Sequence, residues 1–316
     1  MHTVTVVAED GSLRVGDDSL LDAKGPRWMD VVSPTPEEME SLRVKFGIHR
    51  LAVEDCLKLG QRPKLEEYPN HPFIVLQGFG AGPEVWEPKL REVHFILLPD
   101  LIITVHQDAV EVIEEARRRL APDPASSFAR GPDFIAYTVA DALMDGNFPV
   151  VDALDSAIED LESEVFDEAR AGHLPHMSRL RRAVVEVRRV LSPQRDVLSL
   201  LARRGPGSGF VQERTALYFR DVYDHLIRVI EQLDATRELL ASAREAWLSV
   251  IANRTNDVTK QLTIFATIFL PLSFITGFFG QNFHALTAPA LFWVMLASMV
   301  LVPAGLVLWF RHKEWF

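Results

Sequence analysis

The chain is poor in cysteine and has fewer basic than acidic residues. Its 316 residues include a single cysteine, Cys56, which excludes an internal disulfide and is consistent with a reducing cytosol. Lysine and arginine total 33 against 44 aspartate and glutamate residues, giving a formal net charge of −11. Proteins that bind nucleic acid neutralise its phosphates with basic side chains. The charge balance therefore argues against a nucleic-acid partner and favours cations.

The chain also lacks the signatures of a secreted protein and of a nucleotide-dependent enzyme. The N-terminus, Met1-His2-Thr3-Val4, has no basic segment followed by an apolar core, so no cleaved signal peptide is predicted. No glycine-rich loop of the phosphate-binding type is found in the N-terminal part, and no Ser/His/Asp or Cys/His constellation stands out. We therefore expect neither an enzymatic activity nor an organic cofactor.

The most informative absence is that of helix breakers. No proline or glycine occurs between Phe210 and Leu270, whereas the preceding Gly205–Gly209 stretch is expected to reverse the chain sharply. About sixty residues without a breaker can form one helix of about 90 Å, at 1.5 Å per residue. The sequence therefore predicts a single helix that continues from a polar segment into an apolar one.

Two long uncharged stretches, Gln261–Phe283 and Ala285–Phe310, are separated only by His284. A membrane-spanning helix needs about 20 apolar residues, so each stretch is long enough to cross a bilayer. Lysine and arginine flank the outer ends of this pair, whereas residues 280–289 contain none. The positive-inside rule then predicts a protein of the cell membrane, with both termini in the cytoplasm and a short loop outside.

Residues 1–125 are predicted to form a cytosolic α/β domain. Thr35 and Glu38 have the spacing of a capping box at the start of a helix through Phe46, and Ala109–Leu120 predicts another helix. Runs rich in β-branched residues predict five strands, the last two joined by a hairpin. These strands are Val4–Ala8, Trp28–Val32, Phe73–Phe79, Val93–Leu98 and Leu101–His106.

Residues 126–256 show the 3.6-residue period of helices and are predicted to form a cytosolic bundle with a stalk helix. One long helix is expected over Asp133–Ala169, and a second from about His176 to Arg204. The remainder divides into a first transmembrane helix (257–283), an extracytoplasmic loop (284–289), a second transmembrane helix (290–310) and a basic cytosolic tail (311–316).

Small or mildly polar residues form a stripe along the first apolar helix. They recur every three or four residues, whereas bulky residues such as Phe265 and Phe274 fall on other faces. Ordinary packing of membrane helices also favours small residues. The alternative is a pore lined by several copies of this helix, because two helices per chain cannot enclose a water-filled path; Leu262 and Leu270 would then be candidate hydrophobic gates. The stripe consists of Asn256, Thr259, Leu262, Ala266, Leu270, Ser273 and Gly277.

Several motifs resemble those of the CorA-type divalent-cation transporters. Phe279–Phe283, after Ala266–Leu272, is similar to the signature region of that family, in which a Gly-Met-Asn motif ends the first of two C-terminal helices. Tyr218–His225, Gln61–Lys64 and the basic C-terminus with Trp315 match as well, so the resemblance covers essentially the whole chain. It implies a homopentameric funnel that conducts divalent cations, chiefly Mg²⁺ and also Co²⁺ and Ni²⁺, without nucleotide hydrolysis.

In this resemblance Gly280, Gln281 and Asn282 form the selectivity filter, with Asn282 in a ring of side-chain amides at the outer mouth. Because Mg²⁺ gives up water reluctantly, neutral oxygens can hold the hydrated ion and still release it. Gln281 replaces the family's usual Met, and this position also differs in the related ZntB-type zinc transporters, so Zn²⁺ is the alternative cargo. The other interpretation of Gly280–Asn282 is a plain helix C-terminus and turn.

The resemblance further implies regulatory Mg²⁺ sites between neighbouring cytosolic domains. Asp55 and Asp221 of adjacent subunits would share one ion, while Glu54 and Asp141 would help to hold a second. The bound ion would bridge these carboxylates and keep the funnel closed, and without it they would repel one another. Each aspartate taken singly is equally typical of a solvated surface.

A membrane-anchored scaffold or signalling protein is the alternative outside transport. The short predicted loop leaves no room for an extracytoplasmic sensor domain, and no kinase, cyclase or phosphatase motif accompanies the predicted anchor. Both observations weaken this alternative.

Overall fold

The computed structural model describes residues 2–167, 169–170, 172–203, 210–280, 289–313 and 315. The chain separates into two compact units. The first comprises Met1–Glu164 with Arg170–Ala243, and the second comprises Val165–Ala169 with Arg244–Phe316. The turn predicted at Gly205–Gly209 lies outside the described residues.

A seven-stranded sheet forms the centre of the first unit. Its strands are β1 (His2–Val7), β2 (Leu13–Gly16), β3 (Arg27–Val32), β4 (Lys64–Glu67), β5 (Pro72–Gly80), β6 (Lys89–Leu97) and β7 (Leu101–His106). They lie in the order β2-β1-β3-β7-β6-β5-β4, and only β3 and β7 pair in parallel. All residues of β5 and β7 are buried, so the middle of the sheet is covered on both faces.

Helices pack on both faces of the sheet. They are α1 (Pro36–Phe46), α2 (Arg50–Cys56), α3 (Val110–Leu120), α4 (Pro124–Ala129), α5 (Pro132–Asp145), α6 (Asn147–Asp167), α7 (His173–Leu191), α8 (Gln194–Arg203), α9 (Glu213–Phe279) and α10 (Pro289–His312). Met39 and Leu42 of α1 and Cys56 of α2 join one apolar core with the sheet. On the other side, α5 contacts β3, β5, β6 and β7, and α3 packs on α5. The first unit is thus an α/β domain with helices on both sheet faces.

The sequence predictions for the α/β part are confirmed, apart from the shortest elements. The five predicted strands correspond to β1, β3, β5, β6 and β7, and the predicted helix at Ala109–Leu120 is α3. The capping box forms, because the Glu38 amide donates to Thr35 Oγ1 and the Thr35 amide donates to Glu38 Oε2, at 3.2 and 2.9 Å. The short β2, β4, α2 and α4 were not predicted, since four to seven residues carry little periodic signal.

The prediction of one helix over Asp133–Ala169 is wrong, because the chain divides at Gly146 into α5 and α6. The buried Asn147 explains the division. Its side-chain amide donates to the carbonyl groups of Leu143 and Met144, at 3.3 and 2.9 Å, while its Oδ1 accepts the Phe79 amide of β5 at 2.9 Å. One side chain therefore ends α5 and attaches the start of α6 to the sheet.

The predicted helix from about His176 to Arg204 is also wrong in its continuity, and its predicted end at Arg204 lies outside the described residues. It begins three residues earlier, at His173, and is interrupted at Ser192-Pro193, which separates α7 from α8. Proline has no amide hydrogen, so Pro193 cannot donate to a carbonyl one turn earlier. At the start of α8, the buried Gln194 makes two hydrogen bonds to the backbone of Gln77 in β5, at 2.8 and 2.6 Å.

The second unit is built on the C-terminal part of α9 and on α10. The prediction that the chain continues without a break from about residue 210 into the apolar segment is confirmed, because α9 is a single helix of 67 residues. Both helices are long and apolar enough to cross a membrane. Within the apolar segments, Ile264 and Phe310 are buried, and the Phe310 ring lies 5.4 Å from that of Trp315.

Candidate metal site and pore helix

Acidic side chains converge with one histidine in the first unit, where α5 and α9 each present one face. Asp141 and Asp145 lie four residues apart on α5, and Asp221 and His225 have the same spacing on α9, so each pair shares a helix face. His225 Nδ1 lies 3.0 Å from Asp145 Oδ1 and 3.7 Å from Asp141 Oδ1, while Nε2 lies 3.6 Å from Asp221 Oδ2. We call Asp141, Asp145, Asp221 and His225 the acidic cluster.

Arg119 of α3 reaches the same cluster from a third helix. Its guanidinium donates through Nη1 to Asp141 Oδ2 at 2.6 Å and through Nη2 to Asp145 Oδ2 at 2.9 Å. Its Nε donates to Glu115 Oε1, one turn earlier on α3, at 2.9 Å. A single arginine thus bridges both α5 carboxylates and is itself anchored on α3.

Burial and mutual repulsion dominate the electrostatics of the cluster. The pKa of Asp141 is raised, first because burial disfavours its ionised form and then because Asp145 lies close; Arg119 and His225 oppose this shift. Burial, followed by the charges of Asp141 and Asp221, also raises the pKa of Tyr137 to about 12. The surroundings therefore disfavour ionisation of both groups, and Arg119 and His225 offset only part of the upward pKa shift of Asp141.

The residues fit a hard divalent cation. One ligand atom each from Asp141, Asp145 and His225 lies within 4.8 Å of the other two. Asp141 Oδ1 is buried and has no hydrogen-bond partner among the described residues, so one carboxylate oxygen is available as a ligand. Magnesium prefers oxygen ligands and usually keeps several of its waters, which suits a cluster of this width.

The structure brings together two of the four predicted metal ligands. Asp141 and Asp221 both lie beside His225. Glu54 and Asp55 of α2 instead pair with lysines: Lys58 Nζ donates to Glu54 Oε1 at 2.5 Å, and Lys64 Nζ donates to Asp55 Oδ2 at 2.7 Å. Within the described part of one chain, neither contacts the acidic cluster.

Sequence reasoning missed Asp145 and His225 as members of the site. Both could have been found from helix geometry alone. Asp145 follows Asp141 by one helical turn, and His225 follows Asp221 by the same interval, so each extends a predicted ligand along its own helix face.

All seven residues of the predicted pore stripe are exposed in the single chain. The two candidate gate residues, Leu262 and Leu270, are 68% and 76% exposed. Phe265, Phe269 and Phe274 are exposed as well, so exposure alone does not separate a pore face from a lipid face. Asn256 and Thr259 also line a cavity of about 490 Å³ with Lys260, Thr263, Lys313 and Trp315.

Threonine hydroxyls along α9 bond to the backbone of their own helix. Thr255, Thr259 and Thr263 each donate from Oγ1 to the carbonyl four residues earlier, at 2.9, 2.8 and 2.8 Å. At the far end of α9 the Gly280 amide donates to the Thr276 carbonyl at 2.9 Å. The predicted filter residues Gln281 and Asn282, and the loop residue His284, lie outside the described residues.

Comparison with known proteins gives a consistent result over nearly the whole chain. Residues 23–312 match the family described as CorA-like Mg²⁺ transporter protein. The cobalt/magnesium transport protein CorA of Thermotoga maritima is 33% identical over 300 residues, covering 93% of this chain and 84% of that protein. A zinc transport protein ZntB from Pectobacterium atrosepticum is 21% identical over 327 residues, covering 100% of this chain and 95% of that protein.

A solved structure has the same fold. The complete CorA magnesium transporter from Methanocaldococcus jannaschii superposes with a TM-score of 0.88 and covers 100% of this chain and 99% of that one, at 23% identity. The described arrangement of an α/β domain, a long helix and two C-terminal apolar helices is therefore shared with a full-length membrane protein.

Proposed function

The chain belongs to the CorA-like Mg²⁺ transporter family, and on this premise we propose that it conducts divalent cations, chiefly Mg²⁺, across the cell membrane down their electrochemical gradient. Co²⁺ and Ni²⁺ are proposed as further cargo. The observation that carries the proposal is the family match over residues 23–312, which includes both apolar helices. No nucleotide hydrolysis is required, since the gradient supplies the driving force.

The conducting path is proposed to lie between copies of α9 in a homopentamer. The described residues of one chain include two helices apolar enough to cross a membrane, and two helices cannot surround a hydrated ion. The exposed stripe from Asn256 to Gly277 would line the pore, with Gly280, Gln281 and Asn282 as the filter at its outer end. Leu270 and Leu262 would close it by excluding water. Basic residues at the ends of the two apolar segments away from the loop, Arg254 and Lys260 before the first and Arg311 and Lys313 after the second, favour an arrangement with both termini in the cytoplasm.

The acidic cluster is proposed to sense cytosolic Mg²⁺. Asp141, Asp145 and His225 would hold the ion, with Asp221 adding negative charge from α9. Glu54 and Asp55 would act from a neighbouring subunit, where their contacts with Lys58 and Lys64 would be exchanged for the ion. Ion binding would tie subunits together and favour the closed state, whereas ion loss would leave the carboxylates repelling one another.

Reconstituted liposomes provide the test of transport. We expect the full-length protein to take up Mg²⁺, Co²⁺ and Ni²⁺ under an inward gradient and to restore growth of a strain deficient in magnesium transport. Preferential Zn²⁺ uptake, particularly if it depends on a proton gradient, would instead identify a zinc transporter on the same fold. Absence of flux for all four ions would refute transport and favour a membrane-anchored scaffold.

A further inference from the structure

The Arg119 guanidinium binds Asp141 and Asp145, two of the carboxylates that the proposed sensor would use to hold Mg²⁺. We propose that the Arg119 guanidinium competes with Mg²⁺ for the negative charge of Asp141 and Asp145, so that binding of the ion weakens or displaces the arginine contacts. This inference rests on the proposed sensing role of the cluster and identifies the residue that sets its affinity.

The geometry places Arg119 and the candidate ion on the same two carboxylates. Arg119 engages one oxygen of each α5 carboxylate, Asp141 Oδ2 at 2.6 Å and Asp145 Oδ2 at 2.9 Å. The second oxygens face His225, with Asp145 Oδ1 at 3.0 Å and Asp141 Oδ1 at 3.7 Å from Nδ1. A cation bound by these second oxygens and His225 would share both carboxylates with the guanidinium, and two positive charges held by the same pair of carboxylates repel each other.

The surroundings of Arg119 allow the displacement. Its side chain is 30% exposed, so the guanidinium can turn toward solvent without opening the core. Glu115 already accepts a hydrogen bond from its Nε at 2.9 Å and provides a second anionic partner on the same helix. The displaced arginine would thus keep one ion pair while it leaves the two aspartates.

The competing interpretation is that Arg119 merely holds α3 against α5. The two roles predict opposite signs when the arginine is removed. A structural arginine orders Asp141 and Asp145, so its loss would disorder the ligands and weaken Mg²⁺ binding. A competing arginine neutralises the ligands, so its loss leaves the cluster more negative and strengthens Mg²⁺ binding.

The experiment measures Mg²⁺ binding to the full-length protein in detergent, by isothermal titration calorimetry and by Mg²⁺-dependent protection from proteolysis. Arg119→Gln is expected to lower the half-saturating Mg²⁺ concentration by about tenfold, the smallest effect expected for a unit charge removed from within 4–6 Å of the ligands. Arg119→Lys keeps the charge but loses the two-pronged contact, and its curve is expected to move in the same direction by less.

Arg118→Gln is the matched control. It removes the same charge one residue away on α3, but Arg118 is 75% exposed and contacts Glu115 rather than the cluster. Its Mg²⁺ curve should coincide with that of the wild type.

A shift of either Arg119 variant toward higher Mg²⁺, or no shift in both, would overturn the competition. Asp141→Asn separates this failure from failure of the sensor itself. If Asp141→Asn leaves Mg²⁺ binding and protection unchanged, the acidic cluster is not the sensing site. If Asp141→Asn removes the response but the Arg119 variants do not lower the required Mg²⁺ concentration, the sensor stands and the competition is wrong.

Discussion

Replacing Asp141 with asparagine is expected to stabilise the metal-free protein while abolishing its stabilisation by Mg²⁺. One carboxylate oxygen of Asp141 and one of Asp145 lie within 4.8 Å of each other. Unit charges at about that distance repel by ~3.5 kcal/mol at an effective dielectric constant near 20. Arg119, in contact with both α5 carboxylates, offsets a similar amount. The desolvation of Asp141 is left uncompensated, which agrees with its raised pKa. We therefore expect a gain of about 1 kcal/mol in the free energy of unfolding at neutral pH.

The sign of this effect depends on pH. Because the folded-state pKa of Asp141 lies above its unfolded value, folding favours the protonated carboxyl, and the favourable contribution is lost as the pH rises through the folded pKa. The stability difference between Asp141→Asn and the wild type should therefore be small in acid and grow toward neutral pH. Bound Mg²⁺ reverses the comparison, because a ligand at one hundred times its dissociation constant stabilises the wild type by about 2.7 kcal/mol.

Thermal unfolding of the full-length protein in detergent, followed by tryptophan fluorescence with and without Mg²⁺ across this pH range, measures both effects. Asp224→Asn is the control, because Asp224 is an exposed carboxylate next to His225 on α9 and its loss changes the charge equally. The reasoning is refuted if Asp141→Asn melts below the wild type without Mg²⁺, or if it keeps the full Mg²⁺-induced increase in melting temperature.

Three further predictions concern the fold and the pore. Gln194→Leu leaves the buried amide and carbonyl of Gln77 unpaired, so the free energy of unfolding should fall by about 2–6 kcal/mol in denaturant titrations; retained stability would show that water replaces the side chain. Leu270→Ser should raise basal Mg²⁺ uptake into liposomes at high internal Mg²⁺, because a polar ring stays wet, and unchanged uptake would remove Leu270 as a gate. His284→Ala should abolish a decline in uptake at acidic external pH, since a protonated imidazole repels cations; an unaltered pH profile contradicts this role.

Local sequence signals predicted most of the fold. The β-branched runs correspond to β1, β3, β5, β6 and β7, and the lack of breakers after Phe210 corresponds to α9. The divisions at Gly146 and Pro193 were not predicted, because period-3.6 patterning continues across both positions. Asn147 and Gln194 explain those divisions through hydrogen bonds to β5, 68 and 117 residues away in sequence. Such partners are not visible in a local pattern.

The candidate site was predictable only in part, for a similar reason. Asp141 and Asp221 were expected from the family motif, and helix spacing could have added Asp145 and His225. The contact of Arg119 with Asp141 joins helices α3 and α5 across 22 residues of sequence, so no spacing rule indicates it. Glu54 and Asp55 lie apart from the acidic cluster in one chain, and their predicted role requires a second subunit.

The threonines of α9 would present hydrogen-bond acceptors, and not donors, to the proposed pore. The hydroxyl hydrogen of Thr259 is engaged by the Thr255 carbonyl, so the outward side of its oxygen offers lone pairs and no proton. A hydrated cation turns the hydrogens of its water shell outward and finds acceptors at this level. A hydrated anion turns water oxygens outward and finds no donor in the same hydroxyl. A ring of such threonines would therefore favour hydrated cations over hydrated anions through contacts with the water shell, without touching the ion itself.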